Sequence, residues 1–191
     1  MSYQPNRGSV FLEDARILAV EAHPGHQFIL RVYAPRAARK AEPGTFAHIT
    51  CDPSVSLRRP LSIMRVDADE GWLEFLYKPK GAGLEKLSAR KPGELLSVLA
   101  PIGHGFTVDP SRPRLLALGG GVGIPPMIFL ADQIRARQEL RPLVLMGSEV
   151  PFPFELVASQ LTVPGLDGTA THAVALLERW GVPSRLEMKA I

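Results

Sequence analysis

Cysteine is nearly absent from the sequence, and this scarcity limits the kinds of site that the chain can hold. Cys51 is the single cysteine among 191 residues. An internal disulfide, a zinc site built on several cysteines and a four-cysteine iron–sulfur cluster are therefore excluded within this chain. Because disulfides mark oxidising compartments, we expect a cytoplasmic protein.

Long apolar runs and a strong net charge are also missing. No apolar stretch approaches the roughly 18 residues of a membrane span, and residues 1–7 lack the apolar segment of a signal peptide. Lysine and arginine number 22 against 19 acidic residues, so the formal charge is only +3. This charge is too small to predict a nucleic acid or a membrane surface as a partner. The length allows one or two domains.

The first half of the chain is rich in short segments that predict β-strands. They alternate in polarity and end at turn residues, and the first of them contains a bend or bulge. The predicted strands are Ser9–Ala22, Gln27–Tyr33, Phe46–Thr50, Leu61–Val66, Trp72–Tyr77 and Glu94–Leu99. Short strands at hairpin spacing with little helical periodicity indicate a closed antiparallel barrel. A short helix around Leu84 and Leu87 interrupts the pattern.

The second half has a strand–turn–helix pattern. Leu115–Leu118 has the apolar character of a parallel strand buried on both faces, and Pro125 suits the first turn of the helix that follows. Pro142–Met146 predicts a second parallel strand. We also expect a helix over Thr171–Trp180, with Thr171 as its cap, and a third strand around residues 185–188. A doubly wound sheet normally has more strands, so this domain is expected to be short of a full sheet.

Two segments carry groups suited to phosphate. Gly119 to Gly123 lies on the predicted strand-to-helix turn, where bare N–H groups and a helix dipole can accept an anion; the simpler alternative is a tight turn that needs positive φ. Arg58 and Arg59 precede Pro60 and Ser62 and offer a partner for a diphosphate. The alternative there is a strand start with solvated arginines.

Other reactive side chains do not form recognisable sites. Cys51 ends an apolar strand and is interpreted as a small buried hydrophobe rather than a nucleophile. The histidines are not spaced as zinc ligands with other ligand types. Trp72 and Trp180 are interpreted as packing anchors.

Five motifs resemble the ferredoxin–NADP reductase superfamily in their order and spacing. They span about residues 10–148 and are more specific together than a lone glycine-rich turn. The motifs are Arg59-Pro60-Leu61-Ser62, Leu76-Tyr77-Lys78, Gly81-x-Gly83, Pro101-x-Gly103-x-Gly105-Phe106 and Gly119-Gly-Gly-Val-Gly-Ile-Pro125. Within the superfamily, the sequence looks most like the electron-transfer subunits of dihydroorotate dehydrogenase.

The resemblance implies a β plus α/β fold with two cofactor sites. Residues 1–110 would form an N-terminal antiparallel Greek-key β-barrel that binds FAD. Residues 111–191 would form a partial, Rossmann-like parallel α/β domain that binds NAD(P)H. The family chemistry would be hydride transfer between the nicotinamide and the flavin, followed by single-electron transfer. A catalytic dehydrogenase subunit would be the partner in a hetero-oligomer, and dihydroorotate oxidation in pyrimidine biosynthesis would be the process served.

The resemblance also assigns cofactor contacts residue by residue and implies no catalytic side chain. Arg59 would face the FAD diphosphate, with Pro60, Leu61 and Ser62 along the flavin ring. Leu76, Tyr77 and Lys78 would contact the ribityl and adenosine side, and Gly83 and Leu84 would present N–H groups to phosphate. The nicotinamide nucleotide would bind at Gly119, Gly120, Gly121, Val122, Gly123 and Pro125.

Three departures from the family pattern bear on function. Leu84 replaces the usual hydroxyl residue, so one hydroxyl–phosphate hydrogen bond is missing. The cysteine cluster expected of the orotate-pathway subunit is absent, and so is the cysteine–glycine motif that closes the nicotinamide site. We therefore expect a family member without its last third, as a truncated gene product, a fragment or a natural short form.

Two other functions remain open from the sequence. One is a binding module that holds FAD, or only docks on a partner, without catalysis of its own. The other is a reductase that serves a ferredoxin or an oxygenase.

Overall fold

Six antiparallel strands close into a barrel in the first half of the molecule. The computed structural model describes residues 8–166 and 172–188. The barrel strands are β1 (Phe11–His23), β2 (Gln27–Tyr33), β3 (Phe46–Thr50), β4 (Arg59–Asp67), β5 (Trp72–Tyr77) and β6 (Leu95–Ile102). Their order around the barrel is β1-β2-β5-β4-β3-β6, which confirms the predicted antiparallel barrel.

Alternation along the strands explains why the barrel closes. Ile17, Leu30 and Phe75 point into its core and are essentially inaccessible to solvent, while their neighbours face outward. The predicted irregularity in β1 is confirmed, since the register with β2 shifts between Ile17 and Ala19. Two short helices join the strands, α1 (Pro35–Ala38) and α2 (Ala82–Ser88).

The second half contains a three-stranded parallel sheet with a helix packed on one face. Strand β7 (Arg114–Gly120) leads through a 3-10 turn into α3 (Ile124–Ile134) and returns as β8 (Arg141–Ser148). The remaining elements are β9 (Leu156–Ala158), β10 (His172–Val174), α4 (Ala175–Arg179) and β11 (Ser184–Met188). Strand β11 lies parallel to β8 and confirms the expected third strand.

The helix predicted over residues 171–180 is largely wrong. Residues 172–174 are extended, and helix α4 covers only Ala175–Arg179. Ala173 and Val174 are buried, and β10 pairs with β9, so strand pairing overrides the helical spacing of the apolar residues. Thr171, the predicted cap, lies outside the described residues. The predicted stop is confirmed, since Gly181 follows the helix with φ +71°.

The prediction that Leu115–Leu118 is buried on both faces is also wrong. Ala117 is buried on the side of α3, but Leu116 and Leu118 are 58% and 64% exposed. They pair with Leu143 and Leu145 of β8, so leucines line this face of the sheet. Within residues 8–166 and 172–188, no helix or strand covers them.

Helix α3 joins the sheet to the barrel. Phe129 of α3 is part of the barrel's apolar cluster, whereas Met64 and Leu76 of the barrel belong to the cluster around α3. The two halves thus share side chains across one boundary. The division at residue 110 stays a prediction. None of the described helices is long and apolar enough to cross a membrane.

Candidate functional site

A cleft of about 860 Å³ separates the barrel from the carboxyl ends of the parallel strands. Ligands of open parallel sheets bind at this end of the strands. The barrel side is lined by Gln27, Pro60, Leu61, Ser62, Leu76, Tyr77, Lys78, Lys80 and Leu84. The opposite side is lined by Gly120, Gly121, Val122, Pro125, Gly147, Ser148, Glu149, Val150 and Glu187.

The cleft brings together most of the residues that the sequence predicted for two separate cofactors. Pro60 to Ser62 and Leu76 to Lys78 come from the neighbouring strands β4 and β5. They face Gly120, Gly121, Val122 and Pro125 across the cleft. The remaining predicted residues, Arg59, Gly83, Gly119 and Gly123, do not line it.

The two adjacent arginines at the start of β4 have different surroundings. Arg58 donates to the carbonyl oxygen of Ser97 at 2.9 Å and to its hydroxyl at 2.9 Å, so it ties the barrel together. The guanidinium of Arg59 forms no hydrogen bond or ion pair with the described part of the chain, although its backbone pairs with Ile49 of β3. A Cβ atom on Gly83 would lie 3.0 Å from Arg59 Nε, so the glycine leaves room for the guanidinium beside α2. Arg59 is therefore the arginine that is free to bind an anion.

The glycine turn after β7 has a tight structural requirement at one position. A Cβ atom on Gly119 would lie 2.9 Å from the Gly123 carbonyl oxygen and 3.0 Å from Met127 Cγ. Gly121 has φ +51°, a conformation that favours glycine. Gly119 thus packs against the back of the turn, while Gly120 and Gly121 present bare backbone to the cleft.

Tyr77 contributes a buried polar atom without a partner. The residue is 5% exposed, and its hydroxyl has no hydrogen-bond partner among the described residues. Its ring stacks on Phe28 at 5.9 Å between centroids, which fixes its direction. Burial raises the pKa of Tyr77, so the hydroxyl keeps its proton and can donate to a ligand. A buried polar group without a partner is costly unless a ligand completes it.

Sequence reasoning missed several lining residues. Gly147 and Ser148 end β8, Glu149 and Val150 follow it, and Glu187 lies near the end of β11. The rule that ligands bind at the carboxyl ends of parallel strands would have found them. No sequence pattern identified Gln27 as a residue that lines the cleft. Its amide donates to the carbonyl oxygens of Pro24 at 2.9 Å and Pro151 at 2.7 Å, and so links a barrel hairpin to the segment after β8.

The side chains set aside in the sequence do not form another site. Cys51 is buried, and burial raises the pKa of its thiol, which fits a small core residue. Among residues 8–166 and 172–188, no group of histidine, cysteine and acidic side chains could hold a metal ion.

Comparison with known proteins shows which proteins this chain is similar to. No family model matches the chain. It is 35% identical over 153 residues to the electron transfer subunit of dihydroorotate dehydrogenase B (NAD(+)) from Bacillus mycoides, with 74% of this chain and 59% of that subunit covered. The chain is thus similar to the electron transfer subunits of dihydroorotate dehydrogenase B over about three quarters of its length. It spans about 59% of the length of the curated relatives it matches.

Solved structures show the same fold. One of them is an NADH-dependent reduced ferredoxin–NADP oxidoreductase that was studied for flavin-based electron bifurcation. It matches 94% of this chain with a TM-score of 0.72 at 18% sequence identity. This match takes in 58% of that chain. Phthalate dioxygenase reductase matches this chain with a TM-score of 0.60 at 20% sequence identity. The match covers 72% of this chain and 44% of the reductase. The barrel and the parallel sheet thus have the same fold as in these two solved structures.

Proposed function

We propose that this chain binds FAD on the barrel side of the cleft and a nicotinamide nucleotide on the sheet side, and that it passes electrons between them. The observation that carries the proposal is that one cleft is lined on one side by Pro60 to Ser62 and Leu76 to Lys78 and on the other by the glycine turn. Residues 1–110 would be the flavin-binding domain and residues 111–191 the nucleotide-binding domain.

The barrel side of the cleft fits a flavin dinucleotide. Arg59 is a cation without a hydrogen-bond partner in the described chain, and Gly83 leaves room for it. The Tyr77 hydroxyl is a buried donor without an acceptor. Pro60 and Leu61 present an apolar strand edge to the same cleft. A diphosphate needs a cation and donors, and a flat ring needs such an apolar wall.

The chain's own residues would bind and orient, while the cofactors supply the redox chemistry. A bound flavin can accept a hydride and release single electrons. Leu61 and Leu76 would keep water from the ring, and Arg59 would hold the diphosphate. Gly120 and Gly121 would let the nicotinamide nucleotide approach the backbone from the opposite wall. No side chain is needed as an acid or base in this scheme.

The matched relatives suggest the larger assembly. Their name describes an electron transfer subunit of dihydroorotate dehydrogenase B. We therefore propose a catalytic dehydrogenase subunit as the partner, in a hetero-oligomer that oxidises dihydroorotate. A cytoplasmic location stays a prediction.

Two alternative functions have some support. The exposed leucines of β7 favour a module that binds FAD but holds the nucleotide poorly, because the described residues cover the sheet beneath the glycine turn on one face only. Structural similarity to phthalate dioxygenase reductase favours a reductase that serves an oxygenase.

Absorption spectroscopy on the purified protein tests the proposal. A yellow protein whose flavin band bleaches on adding NADH would support electron transfer, and NADPH added to a second sample would give the nucleotide preference. A yellow protein that neither nucleotide bleaches would support the binding module. A colourless protein that fails to take up added FAD would contradict both. Turnover of dihydroorotate with the cognate catalytic subunit would separate the orotate role from service to an oxygenase.

A further inference from the structure

Five side chains form an alternating ladder of guanidinium groups and indole rings at the end of the barrel away from the cleft. Arg31 lies 4.6 Å from the centroid of the Trp72 ring, and Arg65 lies 5.5 Å from the same ring. Arg65 lies 5.9 Å from the Trp180 ring, and Arg135 lies 5.0 Å from it. All four distances are within the range of cation–π attraction.

Carboxylates hold the arginines of this ladder in place. Glu74 is buried and accepts from Arg31 at 2.7 Å and from Arg65 at 3.5 Å. Asp132 accepts from Arg135 Nε at 2.8 Å. The Nε atom of Arg65 is buried without a hydrogen-bond partner among the described residues, which leaves its guanidinium plane to the rings.

The ladder connects the two halves of the molecule at Arg65. Arg31, Trp72 and Arg65 belong to barrel strands, whereas Trp180 follows α4 and Arg135 follows α3. Arg65 therefore contacts an aromatic ring of each half. Helix α3 has Pro125 at the cleft and Arg135 at the ladder, so its two ends connect the two places.

We propose that this ladder is a positioning device that fixes the parallel sheet against the barrel and so sets the gap across the cofactor cleft. This inference rests on the proposed function, because the gap matters only if two cofactors meet in the cleft. Phe129 anchors the middle of α3 in the barrel core. The ladder also anchors the segment after α4 to the barrel. This segment leads into β11 and to Glu187 at the cleft.

Distances between the two halves provide a test that needs no cofactor. Nitroxide labels on Lys91→Cys in the barrel and Gln138→Cys after α3 would report the separation by pulsed electron resonance, since both sites are exposed and Cys51 is buried. Arg65→Met and Trp180→Ala are each expected to broaden the distribution of label-to-label distances at least about twofold. The reason is that losing one cation–π contact shifts the equilibrium between the observed and other arrangements of the two halves by roughly a fewfold.

Arg36→Met is the matched control. Arg36 lies 4.4 Å from the Phe11 ring, so it makes the same kind of contact within the barrel alone. Its distance distribution should equal that of the unchanged protein. Narrow distributions in both ladder variants, or equal broadening in the control, would overturn the proposal. Trp180→Phe keeps a weaker ring and should restore most of the narrow distribution.

A second readout separates this inference from the proposed function. The FAD dissociation constant of Trp180→Ala should stay within about twofold of the unchanged protein, because the barrel supplies that wall. The rate of flavin reduction by NADH should fall about tenfold or more, since small misplacements of reacting groups are costly. If NADH does not reduce the unchanged protein, the proposed function fails, and the distance distributions still decide the role of the ladder.

Discussion

The two halves of the molecule differ in how completely their sheets are covered. The barrel closes on itself, and its inward residues, such as Phe75 and Leu30, are inaccessible to solvent. The parallel sheet has α3 on one face, and leucines such as Leu116 and Leu118 stand exposed on the other. Parallel sheets are usually covered on both faces. The proposed flavin wall of the cleft therefore rests on a well-packed barrel, whereas the proposed nucleotide wall rests on a sheet that the described residues cover on one face.

One substitution in the barrel core and one on the exposed leucine face would test this comparison most directly. Phe75→Ala is expected to lower the free energy of unfolding by about 3–5 kcal/mol, because it empties a buried aromatic site. Leu118→Ala should change it by less than about 0.5 kcal/mol, since that side chain is 64% exposed. Urea unfolding followed by far-ultraviolet circular dichroism would measure both. A cost for Leu118→Ala as large as that for Phe75→Ala would show that the leucine face is covered in solution.

The arginine pair tests the barrel wall itself. Arg59→Ala is expected to weaken FAD binding by about 1.5–3 kcal/mol, or roughly tenfold to more than a hundredfold, because it removes a charge-assisted contact to phosphate. Fluorescence titration with FAD would measure the change.

Arg58→Ala is the matched control for that substitution. Arg58 already bonds to Ser97, so its loss should lower barrel stability and leave FAD affinity within about threefold. Equal loss of affinity in the two variants would contradict the assignment of Arg59 to the diphosphate.

The barrel could be predicted from the sequence because its information is local. The strands are short, rich in apolar residues and end at turns, so Gln27–Tyr33 and Trp72–Tyr77 have the predicted bounds. The motifs on β4, β5 and the glycine turn were found because each contains residues with a specific chemical role. Their convergence on one cleft follows from the topology.

The second half was harder to predict because its structure depends on distant partners. Ala173 and Val174 have helical spacing with Leu177, yet they pair with β9, about fifteen residues earlier in sequence. The exposure of Leu118 depends on whether another element covers it, and no residue near Leu118 encodes that. The ladder was missed because its five members are spread from Arg31 to Trp180, and both tryptophans were interpreted only as packing anchors.

A glycine pair tests the nucleotide wall. Gly119→Ala is expected to cost about 1–3 kcal/mol of stability in the second half, because its Cβ atom would meet the Gly123 carbonyl oxygen at 2.9 Å. Flavin reduction by NADH should slow in this variant while FAD affinity stays the same. Stopped-flow absorption at the flavin band would follow the reduction.

Gly123→Ala is the control on the same turn. Gly123 has φ −85° and ψ −9°, and an added Cβ atom would meet nothing within 4 Å. This substitution should be neutral or slightly stabilising, because alanine restricts the unfolded chain. Slow reduction in Gly123→Ala and normal reduction in Gly119→Ala would contradict the role given to the turn.

The Tyr77 hydroxyl gives the smallest expected effect and the sharpest view of the barrel wall. Tyr77→Phe should weaken FAD binding by about 0.5–1.5 kcal/mol if the ligand accepts this hydrogen bond, and should leave the protein without ligand as stable or more stable.

Burial raises the pKa of Tyr77, whereas the tyrosine of the unfolded chain titrates near pH 10. The free energy of unfolding is therefore unaffected by this group below about pH 10 and falls as the pH rises from there toward the raised pKa, because the unfolded chain releases the proton first. Unfolding experiments from pH 8 to 11 should show this loss in the unchanged protein and not in Tyr77→Phe. Equal alkaline loss in both proteins would mean that the hydroxyl is open to solvent and not a buried donor that awaits a ligand.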